Sequence, residues 1–156
     1  MSSAVETRLQ GLGRSLPQVA APVASYVPAV RSGDLVFTSG QLPIVDGQLF
    51  ATGKVGAEVS SALAHDLAAV CALNAMAAVK DLIGDLDLVV QVVKVVGFVA
   101  SDADFDGQPA VINGASDLLS AAFGDAGQHA RSAVGVAVLP RNAPVEVEVI
   151  VQVRSA

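Results

Sequence analysis

The stretch Val-Val-Gln-Val-Val-Lys-Val-Val-Gly-Phe-Val-Ala, residues 89–100, decides the fold class of this chain. It is rich in β-branched residues, which favour strands, and it is apolar at both odd and even positions. A strand of this kind belongs to a sheet that is covered on both faces. We expect helices of the same chain to cover one face and a partner to cover the other.

Two helices are predicted on either side of this strand. Residues 57–83 are rich in Ala and Leu, contain neither Gly nor Pro, and are followed by Gly84, a typical C-cap residue. A second helix is predicted over about 109–123. Helices and strands that alternate in this way are typical of a layered α/β arrangement with the helices on one face of a sheet.

The remaining strands follow from turn signals and alternation. Asp46-Gly47 is a favoured hairpin turn, and residues 145–153 alternate between valine and mostly polar residues. The predicted order is ββαβαββ, a mixed sheet in one domain, 1–156. Its strands are 35–39, a hairpin at 45–49, 89–100, 131–139 and 145–153. Residues 1–28 are expected to form an N-terminal arm, with a short helix over 3–12 and an extended remainder.

Composition limits the function classes. The net charge is −6, with nine basic residues scattered along the chain, so a nucleic-acid surface is disfavoured because phosphate binding depends on clustered Lys and Arg. Hydrophobic residues make up 53% of a chain that is too small to bury them all, which indicates an oligomer.

The sequence shows neither an uninterrupted apolar run of about 18–20 residues nor a signal peptide. The single cysteine, Cys71, excludes an internal disulfide, and we expect a cytoplasmic protein.

The alternation of the last two strands suggests a site. Arg131, Ala133, Gly135 and Ala137 lie on one face of their strand, and Ser132, Val134, Val136 and Val138 lie on the other. We expect both valine faces to pack in the core, which leaves a face of small residues that carries Arg131 together with Glu146. A surface ion pair is one interpretation. The other is that Arg131 binds an anion through its guanidinium fork while Glu146 orients or deprotonates a water.

The other motifs give weaker evidence of a functional site. His65 and His129 do not have the spacing of a metal site. Two interpretations of His129 stay open, a residue at the rim of the Arg131 site and a solvated loop residue, and the second is favoured. Cys71 is predicted to be a small buried hydrophobe. The segment Gly53-Lys-Val-Gly56 is too short for a phosphate-binding loop.

Along several segments of its sequence, the chain resembles the RidA family of enamine/imine deaminases, whose members are also named translation inhibitors and L-PSP-type endoribonucleases. The similarity spans about 25–153. The matching segments are Leu35-Val-Phe-Thr-Ser-Gly-Gln-Leu-Pro43, the run Val-Val-Lys-Val-Val-Gly-Phe-Val ending at Val99, Ala130-Arg-Ser132, Val136-Ala-Val-Leu-Pro140 and Val145-Glu-Val-Glu148.

The resemblance implies a chorismate-mutase-like fold assembled as a homotrimer with sites between subunits, and no cofactor or metal. It implies hydrolysis of 2-aminoacrylate-type enamines and imines to 2-keto acids and ammonia. Arg131 matches the arginine that binds the substrate carboxylate, and Glu146 matches the glutamate that handles the attacking water. Tyr26, Ser39, Gly40 and Asn113 match residues that line the family's cleft.

The chain departs from the family pattern at three positions. Ala133 stands where the family has a cysteine, so a thiol-dependent role is absent, and Ser25 and His129 also replace the usual residues. Two other functions remain open beside the deaminase: a non-catalytic binding module for small carboxylate metabolites, and a ribonuclease, against which the acidic net charge argues.

Overall fold

The computed structural model describes residues 3–19, 21–22 and 24–155. Met1, Ser2, Ala20, Val23 and Ala156 lie outside the described residues, so the predicted arm over 1–28 is described only in part. The described elements, in chain order, are α1 (Ala4–Gly11), β1 (Ala29–Ser32), β2 (Leu35–Thr38), β3 (Ile44–Val45), β4 (Gln48–Leu49), α2 (Ser61–Ile83), β5 (Val89–Ala100), α3 (Gln108–Phe123), β6 (Ala130–Val136) and β7 (Val145–Val153).

Five strands form one mixed sheet in the order β1-β2-β7-β5-β6, and β3 and β4 form a separate hairpin. The pair β5–β6 is parallel, whereas β1–β2, β2–β7 and β5–β7 are antiparallel. Helices α2 and α3 pack against each other and against this sheet, and α1 packs on α3. The predicted mixed sheet with helices on one face is therefore confirmed.

The core lies between the sheet and α2 and α3. The five valines of β7 at odd positions are each 2% exposed or less, as the alternation predicts. They meet α2, whose middle is buried on nearly every side because most of its residues there are Ala, Val and Leu. Burial of this apolar surface is the main force that holds the layers together.

Local signals explain most element boundaries. The hairpin β3–β4 turns at Asp46 and Gly47, which both have positive φ, as a type I′ turn requires. Helix α2 begins at Ser61 rather than at the predicted residue 57, because the Ser60 side chain accepts a hydrogen bond from the N–H of Leu63 and caps the helix there. Strand β1 was not predicted; it pairs with β2 through the turn at Gly33.

One prediction about β6 is wrong. Its valine face does not pack in the main core: Val134 is 43% exposed and Val136 packs against a smaller separate cluster, whereas Ala133 on the other face packs against the main core. The reason is the approach of α3, since a Cβ built on Gly135 would lie 2.8 Å from the Gln108 side chain. The small residues of β6 make room for α3, and its valines face away from the helices.

Helix α2 is long and apolar enough to cross a membrane by length and composition alone. In the fold it is a core helix, because 72% of its most apolar window is buried against the rest of the chain. The structure therefore describes the core helix of a soluble domain.

The crossing of α2 and α3 generates a stability prediction. A Cβ built on Gly114 would lie 1.9 Å from the carbonyl oxygen of His65, and backbone cannot give way as a flexible side chain can. We expect Gly114→Ala to lower the free energy of unfolding by about 1–3 kcal/mol, although alanine favours helix more than glycine does. Urea denaturation at a fixed protein concentration measures this loss.

Gly11→Ala is the matched control, because Gly11 lies in α1 with nothing within 4 Å of its built Cβ. It should leave stability unchanged or raise it slightly. A Gly114→Ala variant as stable as the wild type would contradict the close helix crossing.

Candidate functional site

The predicted site residues fall into two clusters. The first, here called the arginine cluster, consists of Asn113, Ser116, His129 and Arg131 and lies between α3 and the edge strand β6. Arg131 pairs with Val95 of β5, and Val95 pairs with Val149 of β7. Both valines are buried under the helices, so the Arg131 side chain lies on the helix-covered face at the sheet edge.

Helix α3 holds the Arg131 guanidinium along one side. The Nη1 nitrogen donates to Asn113 Oδ1 at 2.7 Å and to Ser116 Oγ at 3.2 Å, and Nη2 donates to the carbonyl of Pro109 at 3.4 Å. Residues 109, 113 and 116 share one helix side because they are four and three residues apart. Both Nη1 hydrogens are used. The Nε–H and one Nη2–H have no acceptor in the described part of the chain, and together they form a two-point donor edge that matches a carboxylate.

The second group, the glutamate cluster, consists of Tyr26, Ser39, Gly40 and Glu146. Glu146 lies on β7 between the buried Val145 and Val147, so its side chain points to the face of the sheet that the helices leave open. A Cβ built on Gly40 would lie 1.8 Å from Glu146 Oε1. Only glycine at position 40 therefore leaves the Glu146 carboxylate in this place.

The environment of Glu146 favours its protonated form. Partial burial raises the pKa of its carboxyl group, and the nearby Glu148 carboxylate raises it further. No hydrogen bond within the described residues offsets these effects. A carboxyl group with a raised pKa binds a proton more readily than an ordinary carboxylate does, which suits it to proton transfer.

The other members of the glutamate cluster are grouped with this carboxyl through Gly40, which follows Ser39 in the chain and lines a pocket with Tyr26. Ser39 Oγ donates to the carbonyl of Val27 at 2.7 Å, and the Gly40 N–H has no acceptor among the described residues. Tyr26 and Gly40 line one pocket of about 30 Å³ with Pro28, Gln41 and Leu42 among its walls. That volume has room for about two water molecules, so the pocket of a single chain cannot enclose an organic acid.

The expectation that Arg131 and Glu146 share a face is wrong. Glu146 pairs with Phe98 of β5, whereas Arg131 pairs with Val95, three residues away on the same strand. An odd separation along a strand places the two partners on opposite faces. The structure thus brings Asn113 to Arg131, and Gly40 to Glu146, but it does not bring the two clusters together within one chain.

Sequence reasoning missed Ser116 and underestimated His129. His129 is partly buried rather than solvated, with Nδ1 2.7 Å from the carbonyl oxygen of Gly127 and Nε2 2.9 Å from Ser116 Oγ. The one available signal was the spacing of Asn113 and Ser116, which places both on the same side of a predicted helix.

Other parts of the molecule offer less chemistry. A cavity of about 640 Å³ between α1 and α2 contains none of the predicted site residues, and its Lys80 pairs with Glu6 at 2.5 Å. The described residues contain no group of three or more His, Cys, Asp or Glu that could hold a metal ion. Cys71 is buried, and burial raises the pKa of its thiol, which keeps it protonated and unreactive.

Comparison with known proteins supports the fold described above, a mixed sheet with helices on one face. Residues 6–153 match the family model described as "YjgF/chorismate_mutase-like, putative endoribonuclease". The chain is 44% identical over 155 residues to Protein TCP17 of Trypanosoma cruzi, with 99% of this chain and 97% of that protein covered. It is 33% identical over 138 residues to the 2-iminobutanoate/2-iminopropanoate deaminase of Dermatophagoides farinae, covering 88% and 92%.

A solved structure is similar over almost the whole chain. The crystal structure of the protein Atu1372 from Agrobacterium tumefaciens superposes with a TM-score of 0.91 at 47% sequence identity, covering 97% of this chain and 93% of that one. The names of the Agrobacterium and Trypanosoma proteins state no activity, whereas the Dermatophagoides protein is named as a deaminase.

The electrostatics of the glutamate cluster generate a pH prediction. Glu148→Gln removes the like charge that raises the pKa of Glu146, so we expect the Glu146 titration midpoint to move to lower pH. Carboxyl ¹³C NMR titration measures the midpoint directly. Asp81→Asn, an exposed change of the same net charge on α2, should leave it unchanged. A midpoint that responds equally to both substitutions would show that net charge, rather than Glu148, raises this pKa.

Proposed function

The chain belongs to the YjgF/chorismate-mutase-like family, and on that premise we propose that it hydrolyses small enamines and imines of the 2-aminoacrylate type to 2-keto acids and ammonia. The observation that carries the proposal is the Arg131 guanidinium, whose Nη1 hydrogens are held by α3 while its Nε–Nη2 edge remains open. The named activity of the Dermatophagoides relative supports the same substrate class.

Arg131 is the proposed carboxylate-binding residue. A guanidinium already held along one side loses little further freedom when an anion binds its other edge, which lowers the entropic cost of binding. Asn113 is proposed to help position Arg131, because its Oδ1 accepts a hydrogen bond from Nη1 rather than facing outward. The substrate carboxylate then fixes the position of the neighbouring imine carbon.

Glu146 is the proposed proton-transfer group. An enamine first gains a proton at carbon and becomes an iminium ion, whose carbon is electrophilic. Water attacks this carbon while the Glu146 carboxylate takes one water proton, and Glu146 then returns that proton to the amine nitrogen. The C–N bond breaks as ammonia leaves with the bonding electrons, the hydroxyl proton passes to ammonia, and the products are the 2-keto acid and ammonium. Tyr26, Ser39 and the Gly40 N–H are proposed to line the pocket in which this occurs.

A second copy of the chain is proposed to complete each site. Arg131 and Glu146 lie on opposite faces of one sheet, so they can meet across a substrate only if they come from different subunits. The open face of the sheet also exposes apolar side chains, among them Val30, Phe37 and Val134. Exposed apolar surface of this kind is typical of a subunit interface. We propose the homotrimer that the family resemblance implies.

The remaining expectations extend the proposal. We propose that 1–156 acts as one catalytic domain in the cytoplasm, with a small carboxylate metabolite as its ligand and without a cofactor, a metal, a membrane or a nucleic-acid partner. The chemistry is consistent with this, because an iminium carbon is already electrophilic and requires positioning and one proton acceptor.

A non-catalytic binding module is the second candidate. It is favoured by the separation of Arg131 from Glu146, because the arginine cluster can bind a carboxylate without the glutamate. In that case Glu146 is dispensable for binding and no keto acid is released.

Single substitutions separate these candidates. Arg131→Ala should weaken binding of 2-oxobutanoate by about 2–4 kcal/mol, measured by calorimetry, because it removes a charge-assisted fork. Glu146→Gln should retain that binding and lose keto-acid release from 2-aminoacrylate generated in situ by a serine dehydratase.

Keto-acid release that is unaffected by Arg131→Ala would contradict the proposed enzyme. If the wild-type protein binds but does not turn over, the binding module is supported, and RNA cleaved by highly purified protein would support the ribonuclease.

Subunit mixing tests whether the site is shared. Arg131→Ala and Glu146→Gln subunits, unfolded together in equal amounts and refolded, should recover about a quarter of wild-type activity, because random assembly pairs an intact Arg131 with an intact Glu146 at one site in four. Each variant refolded alone is the control and should stay inactive. A mixture as inactive as the two controls would place the whole site within one chain.

A further inference from the structure

His129 lies between two fixed partners beside the arginine cluster's guanidinium. Its Nδ1 is 2.7 Å from the carbonyl oxygen of Gly127, and its Nε2 is 2.9 Å from Ser116 Oγ, which itself accepts from Arg131 Nη1. Gly127 packs closely on the end of α3, because a Cβ there would lie 2.6 Å from the carbonyl oxygen of Leu119. His129, Ser116 and Arg131 therefore form a continuous chain of hydrogen bonds.

The partners fix the direction of each bond. A carbonyl oxygen can only accept, so His129 Nδ1 carries the hydrogen, and the neutral ring then presents a lone pair at Nε2. The Ser116 hydroxyl donates to that lone pair and turns its own lone pairs toward the N–H of Arg131 Nη1.

We propose that His129 is a positioning residue for Arg131: through Ser116 it holds Nη1 against α3 and keeps the Nε–Nη2 edge turned toward a carboxylate. The inference rests on the proposed function of Arg131 and names a residue that acts on it without touching the ligand. A bond to Gly127 alone would be enough to hold the loop. The bond from Nε2 to Ser116 is the feature that links His129 to Arg131.

The first test is binding of 2-oxobutanoate by calorimetry. His129→Phe and Ser116→Ala should each weaken binding about five- to tenfold, the effect expected for one lost hydrogen bond. The double variant should bind no more weakly than Ser116→Ala alone, since His129 acts only through Ser116. Ser116→Thr keeps the hydroxyl and should restore most of the affinity. Ser120→Ala, an exposed serine on the same helix, is the matched control and should bind as the wild type does.

The second test needs no ligand, so it separates this inference from the proposed function. In ¹⁵N NMR spectra of the wild-type protein we expect His129 as the Nδ1–H tautomer and distinct Arg131 Nη signals because rotation is hindered. His129→Phe and Ser116→Ala should both merge those signals. Absence of 2-oxobutanoate binding to the wild type with the spectra as expected would refute the proposed function alone.

Three results would overturn the positioning role. They are an Nε2–H tautomer for His129, Arg131 signals that neither variant changes, and affinity losses in His129→Phe and Ser116→Ala that multiply in the double variant. The last result would mean that the two residues stabilise the fold independently.

Discussion

The sheet of this protein is apolar on both faces, yet its helices cover only one. Alternate valines of β7 are sealed beneath α2, while Val30, Phe37 and Val134 remain exposed on the opposite side. A chain of this size has no second layer of helices for that face, and a subunit interface is the cover that we propose for its exposed apolar side chains. The same arrangement divides the polar side chains of the strands into two sets, because each side chain projects from either the covered face or the open face of the sheet.

Helix α3 decides what lies on the covered face at the edge of the sheet. It approaches α2 at Gly114 and the sheet at Gly97, where an added Cβ would meet the His65 carbonyl and the Ile112 side chain. The small residues of β6 serve this approach rather than a roomy pocket. Arg131 is the long side chain of that strand on this face, and it reaches along the helix to Asn113 and Ser116. The packing that builds the core thus also orients the guanidinium.

Much of the fold could be predicted from the sequence because its period and its turn signals are strong. The residues of α2, the β3–β4 turn and the valines of β7 each follow one clear local rule. The face of β6 that packs under the helices could not be predicted, since hydrophobic alternation cannot distinguish the helix-covered face of a strand from an apolar face that stays exposed. The candidate site residues were predicted from the motifs of a family, but their division into two clusters depends on strand register. The Ser116–His129 bond depends on the position of the loop before β6, which no local pattern encodes.

The division of Arg131 and Glu146 between two faces has a chemical consequence. An arginine beside Glu146 in the same chain would lower the pKa of that carboxyl and would fill the donor edge that a substrate needs. On opposite faces, each group keeps its own property: the guanidinium stays open on one edge, and the carboxyl keeps a pKa that is raised by partial burial and by the Glu148 carboxylate. In the proposed assembly the substrate carboxylate occupies the Arg131 edge first, which prevents direct pairing of the two groups. Glu146 then remains free to take a proton from water at the imine carbon.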